Sequence, residues 1–267
     1  MSSASSALDL FRLDGRIAFV SGAAGHLGSA MALCLADAGA HVIVNGRDPS
    51  RLHTLVDAIK TRDGSAEAAA FDIGDLDAVR SFFATRGRLD VLVNNAIGMT
   101  PKPFDALTAD DFEETYRTGV VAPFEMARAA LPAMREAASK SGEASIVNVA
   151  SMYGAVAPDA RIYSRPGQAS PFHYGPAKAA LLQLTRHLAA EFGPERIRVN
   201  ALVPGPFPRE SVSAADPAFA ERLAGRTMLG RTGGADEIRG PLLFLASRAS
   251  SFVTGSALAV DGGWTAW

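Results

Sequence analysis

The sequence predicts an α/β fold, a single-domain doubly wound parallel β-sheet of about seven strands with helices on both faces. Three observations carry that reading. From Arg16 onward, short β-branched runs alternate with longer stretches of helical period, as parallel strands joined by crossover helices require. Several of the short runs are apolar on consecutive residues, the mark of strands buried on both faces. The chain has 267 residues, 48% of them hydrophobic and 20% charged, which is enough to build one large core, and no composition shift, linker or repeat divides it.

Residues 1–12 read as a loosely held tail, and 13–267 as the domain. The opening MSSASSALDLF lacks the basic and long apolar regions of a secretory signal. The strand candidates are IAFVS, HVIVN, AEAAAF, DVLVNNA, ASIVNVAS, IRVNALV and ALAV. Leu27 to Asp37 and Pro49 to Thr61 read as helices. Thr108 to Glu136 reads as another, with Phe112, Tyr116, Val120 and Phe124 at steps of four. Thr108 followed by Asp111 predicts its N-cap. The Pro- and Gly-bearing stretch of about 204–234 reads as a mobile cover over a site.

Composition excludes several classes of function. A formal net charge of -2 gives no general pull toward nucleic acid, so small-molecule partners are expected. No apolar run reaches the roughly 18 residues of a membrane span. Cys34 is the only cysteine, so an intrachain disulfide and a Cys-based metal site are both excluded, no metal is expected, and a reducing, cytoplasmic setting fits.

The stretch IAFVSGAAGHLG places Gly22, Gly25 and Gly28 between the first strand and a helix. Small residues there let the backbone approach a pyrophosphate, whose charge the helix N-terminus favours; the plain alternative is a tight turn. At the end of the second strand, Gly46 and Arg47 stand where an NAD site wants a carboxylate. They leave room and positive charge for a 2′-phosphate, so NADP(H) is preferred and NAD(H) possible. The alternative for Arg47 is a solvated loop arginine.

In HYGPAK, Tyr174 and Lys178 lie one helical turn apart on one face. A carbonyl reduced by hydride needs a proton and the reverse oxidation needs a base, so one phenol serves both directions if its pKa approaches neutrality. Lowering a phenol by about 3 units takes roughly 4 kcal/mol of preferential phenolate stabilisation. A nearby ammonium and a positively charged nicotinamide ring supply it in a partly desolvated pocket.

With these motifs in hand, the chain from Arg16 to its end resembles the short-chain dehydrogenase/reductase family, with its Rossmann-type fold. SGAAGHLG, the Asp72-Ile73 pair, NNA at 94–96, YGPAK, Val199-Asn200-Ala201, Pro204-Gly205 and VTGSALAVDGG carry the resemblance. It implies a catalytic set of Ser151, Tyr174 and Lys178. Ser151 bonds the reacting oxygen, Tyr174 transfers the proton, and Lys178 also holds the nicotinamide ribose. It implies cofactor contacts at Gly22, Gly25, His26, Leu27, Gly28, Arg47, Asp72, Ile73, Asn94, Ala96, Tyr174, Lys178, Pro204 and Gly205. Within the family the sequence is similar to the gluconate 5-dehydrogenase-like branch, which implies a sugar acid, keto-sugar or polyol substrate. Family members are commonly tetramers, so a homotetramer or homodimer is expected.

Four departures accompany the resemblance. His26 occupies the place of the second motif glycine, so the loop is re-routed, or the imidazole lies beside the phosphates, or it is idle. Gly119 stands where many members carry a catalytic asparagine that holds a water linking the lysine to solvent. Ser151 and Tyr174 are separated by an insertion, about 155–172, carrying Arg161, Tyr163 and Arg165, with His173 just beyond. These either line a pocket for a carboxylated or polyhydroxylated substrate or form a solvated loop; Tyr163 has Gly167 four residues on, so it is rejected as the catalytic tyrosine. Arg209 stands where the family offers a threonine to the carboxamide, which must then find other partners. The terminal WTAW reads as a subunit contact, a lid on a neighbouring site, or core packing. Two functions remain: an NADP(H)-dependent oxidoreductase, or a dinucleotide-binding regulatory or scaffold protein with little turnover.

Overall fold

The computed structural model describes residues 6–163 and 170–267. Seven parallel strands form its one sheet: β1 (Ile17–Val20), β2 (His41–Gly46), β3 (Ser65–Ala70), β4 (Val91–Asn94), β5 (Ala144–Val149), β6 (Ile197–Pro204) and β7 (Ala257–Val260). Their order is β3-β2-β1-β4-β5-β6-β7, so the chain winds outward from β1 to one edge, then crosses back to β4 and winds to the other. The crossover between β1 and β4 is a topological switch point, where strand ends part and leave a crevice. All seven predicted strands are present, and β4, β5 and β6 are buried along their whole length.

The helices are α1 (His26–Asp37), α2 (Pro49–Lys60), α3 (Leu76–Ala84), α4 (Ala109–Tyr116), α5 (Ala122–Ser141), α6 (Tyr174–Phe192), α7 (Glu210–Ala215), α8 (Pro217–Ala224) and α9 (Arg239–Ala246). They build two cores. One face of the sheet packs against α1 and α9 through residues such as Met31, Leu35, Leu242 and Leu245. The other packs against α3, α5 and α6 through Phe83, Met126, Met134 and Leu188. Local signals start the helices where expected: Asp48 caps α2, and Thr108 caps α4 in a reciprocal box with Asp111.

The predicted single helix from Thr108 to Glu136 is corrected. It is two helices, α4 and α5, joined through a π turn at Arg117–Val121. The apolar steps of four do not face the core: Phe112 and Phe124 are 37% and 43% exposed. The buried face is carried instead by Thr115, Gly119, Ala122 and Met126. A π turn inserts one extra residue into the ladder and rotates the face that follows it.

A polar chain crosses the buried sheet. Asn94 Nδ2 donates to Asn148 Oδ1 at 2.7 Å, Asn148 Nδ2 donates to Thr185 Oγ1 at 2.9 Å, and Thr185 donates to the Leu181 carbonyl at 2.8 Å. This ties β4 to β5 and β5 to α6. We expect Asn148→Ala to cost about 2–4 kcal/mol, since Asn94 loses its acceptor and Thr185 a donor where water does not reach. Urea titration of both proteins checks this, and an unchanged midpoint would refute the role.

Candidate active site

The Ser151 turn and the head of α6 are pressed together by two glycines. A Cβ added at Gly154 would lie 2.9 Å from the Lys178 main-chain carbon, and one at Gly175 would lie 2.9 Å from the Tyr153 carbonyl oxygen. No side chain fits in either gap, so backbone meets backbone, and the turn after β5 seats Ser151 beside the first turn of α6. Ser151 is buried, and its Oγ accepts from the Tyr153 N–H at 3.2 Å, which fixes the hydroxyl while leaving its proton free to donate. Tyr174 opens α6 and is half-buried. Lys178, a turn later, is fully enclosed; its Nζ donates to the Val149 carbonyl at 2.6 Å and lies 5.7 Å from the centre of the Tyr174 ring. The three predicted catalytic residues therefore converge at the C-terminal end of β5.

The electrostatics run against one expectation. Burial raises the Tyr174 phenol above its ordinary value, with Ser151 acting only partly in the other direction. Burial also lowers Lys178 to about 8. In the protein chain alone burial dominates both shifts, so Tyr174 is not acidified without the ring charge that the expectation also invoked.

Beside this trio, at the switch point, lies a cleft of about 800 Å³. Of the residues expected to contact the cofactor, Gly22, Gly25, Arg47, Asp72, Ile73 and Ala96 line it. Gly22 has φ of 63°, and a Cβ at Gly28 would fall 2.2 Å from the Gly22 carbonyl oxygen, so α1 approaches the turn as no other residue would allow. The N-cap of α1 is Gly25 without a side-chain bond, leaving first-turn N–H groups available. A glycine cradle, free N–H groups and flanking arginines fit a dinucleotide diphosphate.

Other predicted cofactor residues lie elsewhere. Gly28 and Leu27 support the turn from within α1, and Leu27 packs on the core. His26 does not line the cleft; its Nε2 is buried and unpartnered among the described residues. Asn94 is part of the buried polar chain rather than the cleft wall. Pro204 and Gly205 pack at the end of β6, where Gly205 N–H donates to the Val260 carbonyl at 3.0 Å. Tyr174 and Lys178 border the Ser151 turn, outside the cleft's lining.

Asn95, although inside the NNA motif, and Arg51 were not among the residues expected to contact the cofactor. Asn95 Nδ2 donates to the Ser21 and Gly22 carbonyls at 2.9 and 3.2 Å, holding the glycine turn in shape. Its sequence signal is its place in NNA. Arg51 Nη2 donates to the Ala24 carbonyl at 2.6 Å, bringing a second cation beside Arg47. Its only signal is a position one turn after Arg47, at the start of α2.

The insertion resolves into separate fates. Arg161 is solvated, its side chain 85% exposed and paired with Asp159 at 2.8 Å, so it takes the solvated-loop alternative. Arg165 and Gly167 lie outside the described residues. Tyr163 Oη meets Tyr153 Oη at 2.6 Å. His173 is fully buried, with Nδ1 3.2 Å from Thr115 Oγ1. Trp264 packs with Met152, Ile162 and Leu223 inside the subunit, so this part of WTAW takes the core-packing alternative, while Trp267 is 66% exposed.

Comparison with known proteins agrees with this geometry. A family model described as enoyl-(acyl carrier protein) reductase, of the short-chain dehydrogenase type, matches residues 22–265. The chain belongs to the short-chain dehydrogenase/reductase family. As in that family, it is an oxidoreductase. It is 35% identical to gluconate 5-dehydrogenase of Gluconobacter oxydans over 263 residues, covering 96% of this chain and 97% of that protein. It is 34% identical over 260 residues to 7alpha-hydroxysteroid dehydrogenase of Escherichia coli, covering 96% of each. Among solved structures, a gluconate 5-dehydrogenase from Burkholderia cenocepacia in complex with NADP and tartrate superposes with a TM-score of 0.85 at 35% identity, covering 98% of this chain and 100% of that one.

The depressed pKa of Lys178 predicts how stability depends on pH. Its folded value, about 8, lies below that of an unfolded lysine, so burying the charge costs stability fully below pH 8 and progressively less as pH rises toward the unfolded value. Lys178→Met is expected to stabilise the fold at pH 7 by about 2 kcal/mol: about 3 from the removed charge, less about 1 for the lost bond to Val149. Denaturant titrations at pH 7 and pH 10 check the sign, which requires the advantage to shrink at the higher pH.

Proposed function

We propose that the protein is an NADP(H)-dependent oxidoreductase that interconverts a secondary alcohol and a ketone on a sugar acid, keto-sugar or polyol, with Tyr174 as acid and base. The observation that carries this reading is the convergence of Ser151, Tyr174 and Lys178 beside a glycine-lined cleft. When bound, the dinucleotide supplies or accepts hydride. Ser151 donates its free proton to the reacting oxygen and orients it. Tyr174 passes a proton to that oxygen in reduction and removes one in oxidation. Because burial keeps the phenol protonated, the chain by itself is prepared to act as an acid. Acting as a base requires added positive charge near the ring, which an oxidised nicotinamide carries.

Arg47 and Arg51 support the preference for NADP(H). Arg47 lies 3.9 Å from Asp72 with both side chains largely solvated, a loose pair that a phosphate can replace. NAD(H) remains a usable cofactor on this reading. The hydroxyl-rich substrate class is supported by the relatives and by the Tyr153–Tyr163 pair. One of its two hydroxyl protons is used between the rings, leaving the other for a substrate oxygen. Burial and the neighbouring phenol push Tyr153 well above the usual range, so it stays a donor. A homotetramer or homodimer is part of the proposal, supported by exposed Val121 at the end of the π turn and exposed Phe124 on α5, and light scattering tests it. Among the described residues no helix is long and apolar enough to cross a membrane, and the single buried thiol supports a cytoplasmic setting.

Gly119 favours a second reading, a dinucleotide-binding regulatory or scaffold protein. It offers no side chain to hold the lysine's water, and Ile97 occupies the adjoining space. A panel of sugar acids and keto-sugars with NADP or NADPH separates the two. We expect turnover, and a loss of about 10²–10⁴-fold in Tyr174→Phe with cofactor affinity retained. Turnover surviving that change removes the mechanism, and tight binding without turnover of any substrate favours the second reading. Arg47→Asp is expected to lower the NADP-to-NAD preference by about 10–100-fold, and an unchanged ratio defeats its role.

A further inference from the structure

The cleft is walled almost entirely by the first 118 residues. Among the described residues the one lining residue from the C-terminal half is Arg209, in the segment between β6 and α7. It shares the lining with Gly22 and Gly25 of the glycine turn and with Glu114 and Arg117 of the helical arm formed by α4, the π turn and α5. Of the other arginines in the lining, two are held by main-chain carbonyls and the third sits in a loose pair. Arg51 donates to Ala24 at 2.6 Å, Arg117 Nε donates to the Gly74 carbonyl at 2.8 Å, and Arg47 faces Asp72 at 3.9 Å. Arg209 is exposed, with neither a side-chain hydrogen bond nor an ion pair among the described residues.

We propose that Arg209 is a cofactor-binding residue whose guanidinium bonds the pyrophosphate of the dinucleotide, holding the segment between β6 and α7 over the cleft. The inference rests on the dinucleotide reading above. The chemistry favours the diphosphate. The α1 N-terminus meets an anion from one side only, with partial charge. Glu114 adds negative charge to the lining, so a full cation among the lining residues offsets its repulsion of the ligand. A planar guanidinium can bond two phosphate oxygens at once, which a threonine hydroxyl at this position cannot. The consequence is a division of labour: Arg47 reads the 2′-phosphate, and Arg209 grips what NAD and NADP have in common.

Binding titrations of Arg209→Ala test this with four ligands: NADPH, NADH, ADP-ribose, which has the pyrophosphate but no nicotinamide, and adenosine 2′,5′-bisphosphate, which lacks the pyrophosphate. We expect affinity for the first three to fall by about 10-fold and that for the bisphosphate to hold. We also expect NADP to slow hydrogen exchange across residues 205–216 in the parent and less so in the variant. Arg209→Lys should recover part of the loss. Unchanged ADP-ribose binding overturns the proposal, as does a loss confined to NADPH and the bisphosphate, which would move Arg209 to the 2′-phosphate. If the parent binds no dinucleotide, both this proposal and the cofactor reading fall; if the parent binds and the variant matches it, only this one does.

Discussion

The site depends on a contact between two stretches of backbone. Gly154 and Gly175 remove the side chains that would separate the Ser151 turn from α6, and each approach is too close for a Cβ. Serine, tyrosine and lysine are thus registered by main-chain packing, which shifts far less than side-chain packing does. Lys178 is enclosed by the same contact. Its buried ammonium bonds the last carbonyl of β5, so the residue proposed to tune the site also pins α6 to the sheet. A buried charge with one partner is costly, and such groups are concentrated at functional sites.

The fold was legible because buried parallel strands write themselves as consecutive apolar runs, as β1, β4, β5 and β6 largely do here, with the edge strands β3 and β7 less buried. The helical arm was not. The steps Phe112, Tyr116, Val120 and Phe124 mimic an amphipathic stripe, yet the core face runs through Thr115 and Gly119, and an extra residue at the π turn leaves no compositional mark. At the site, Ser151, Tyr174 and Lys178 could be read from type and spacing. Asn95 and Arg51 could not, because their work is done across long sequence separations, Asn95 on Ser21 and Arg51 on Ala24. The direction of the Tyr174 shift in the protein chain alone was also hidden: a neighbouring lysine is visible in sequence, whereas the burial that raises the phenol exists only in three dimensions.

The departures from the family pattern form a connected set. A Cβ at Gly119 would sit 2.9 Å from Ile97 Cδ1 and 3.7 Å from Ala177 Cβ, so the space an asparagine would need belongs to Ile97. The loss of that side chain is built into the packing between the end of β4 and α6. Nearby, the Gly98 carbonyl accepts from both Thr115 and Thr118, and Thr115 also meets His173. Thr115 thus joins the Gly98 carbonyl, to which it donates, and His173 Nδ1, in a contact whose direction follows the imidazole tautomer. The residue before Tyr174 is thereby anchored to the arm whose asparagine is missing.

These arrangements make the acidity of Tyr174 conditional. With the cleft open to solvent, burial holds the phenol neutral and lowers Lys178 to about 8, so much of the ammonium's charge is lost just above neutral pH. An anion bound along the glycine turn and Arg47 would favour the charged form of nearby cationic groups, whereas a cationic ring near Tyr174 would favour the phenolate. The two ends of an oxidised dinucleotide carry those two signs. On the proposed mechanism, a base that forms only when an oxidised dinucleotide is seated would not deprotonate an alcohol before that cofactor binds, and the coupling would follow from the burial that raises Tyr174 and lowers Lys178.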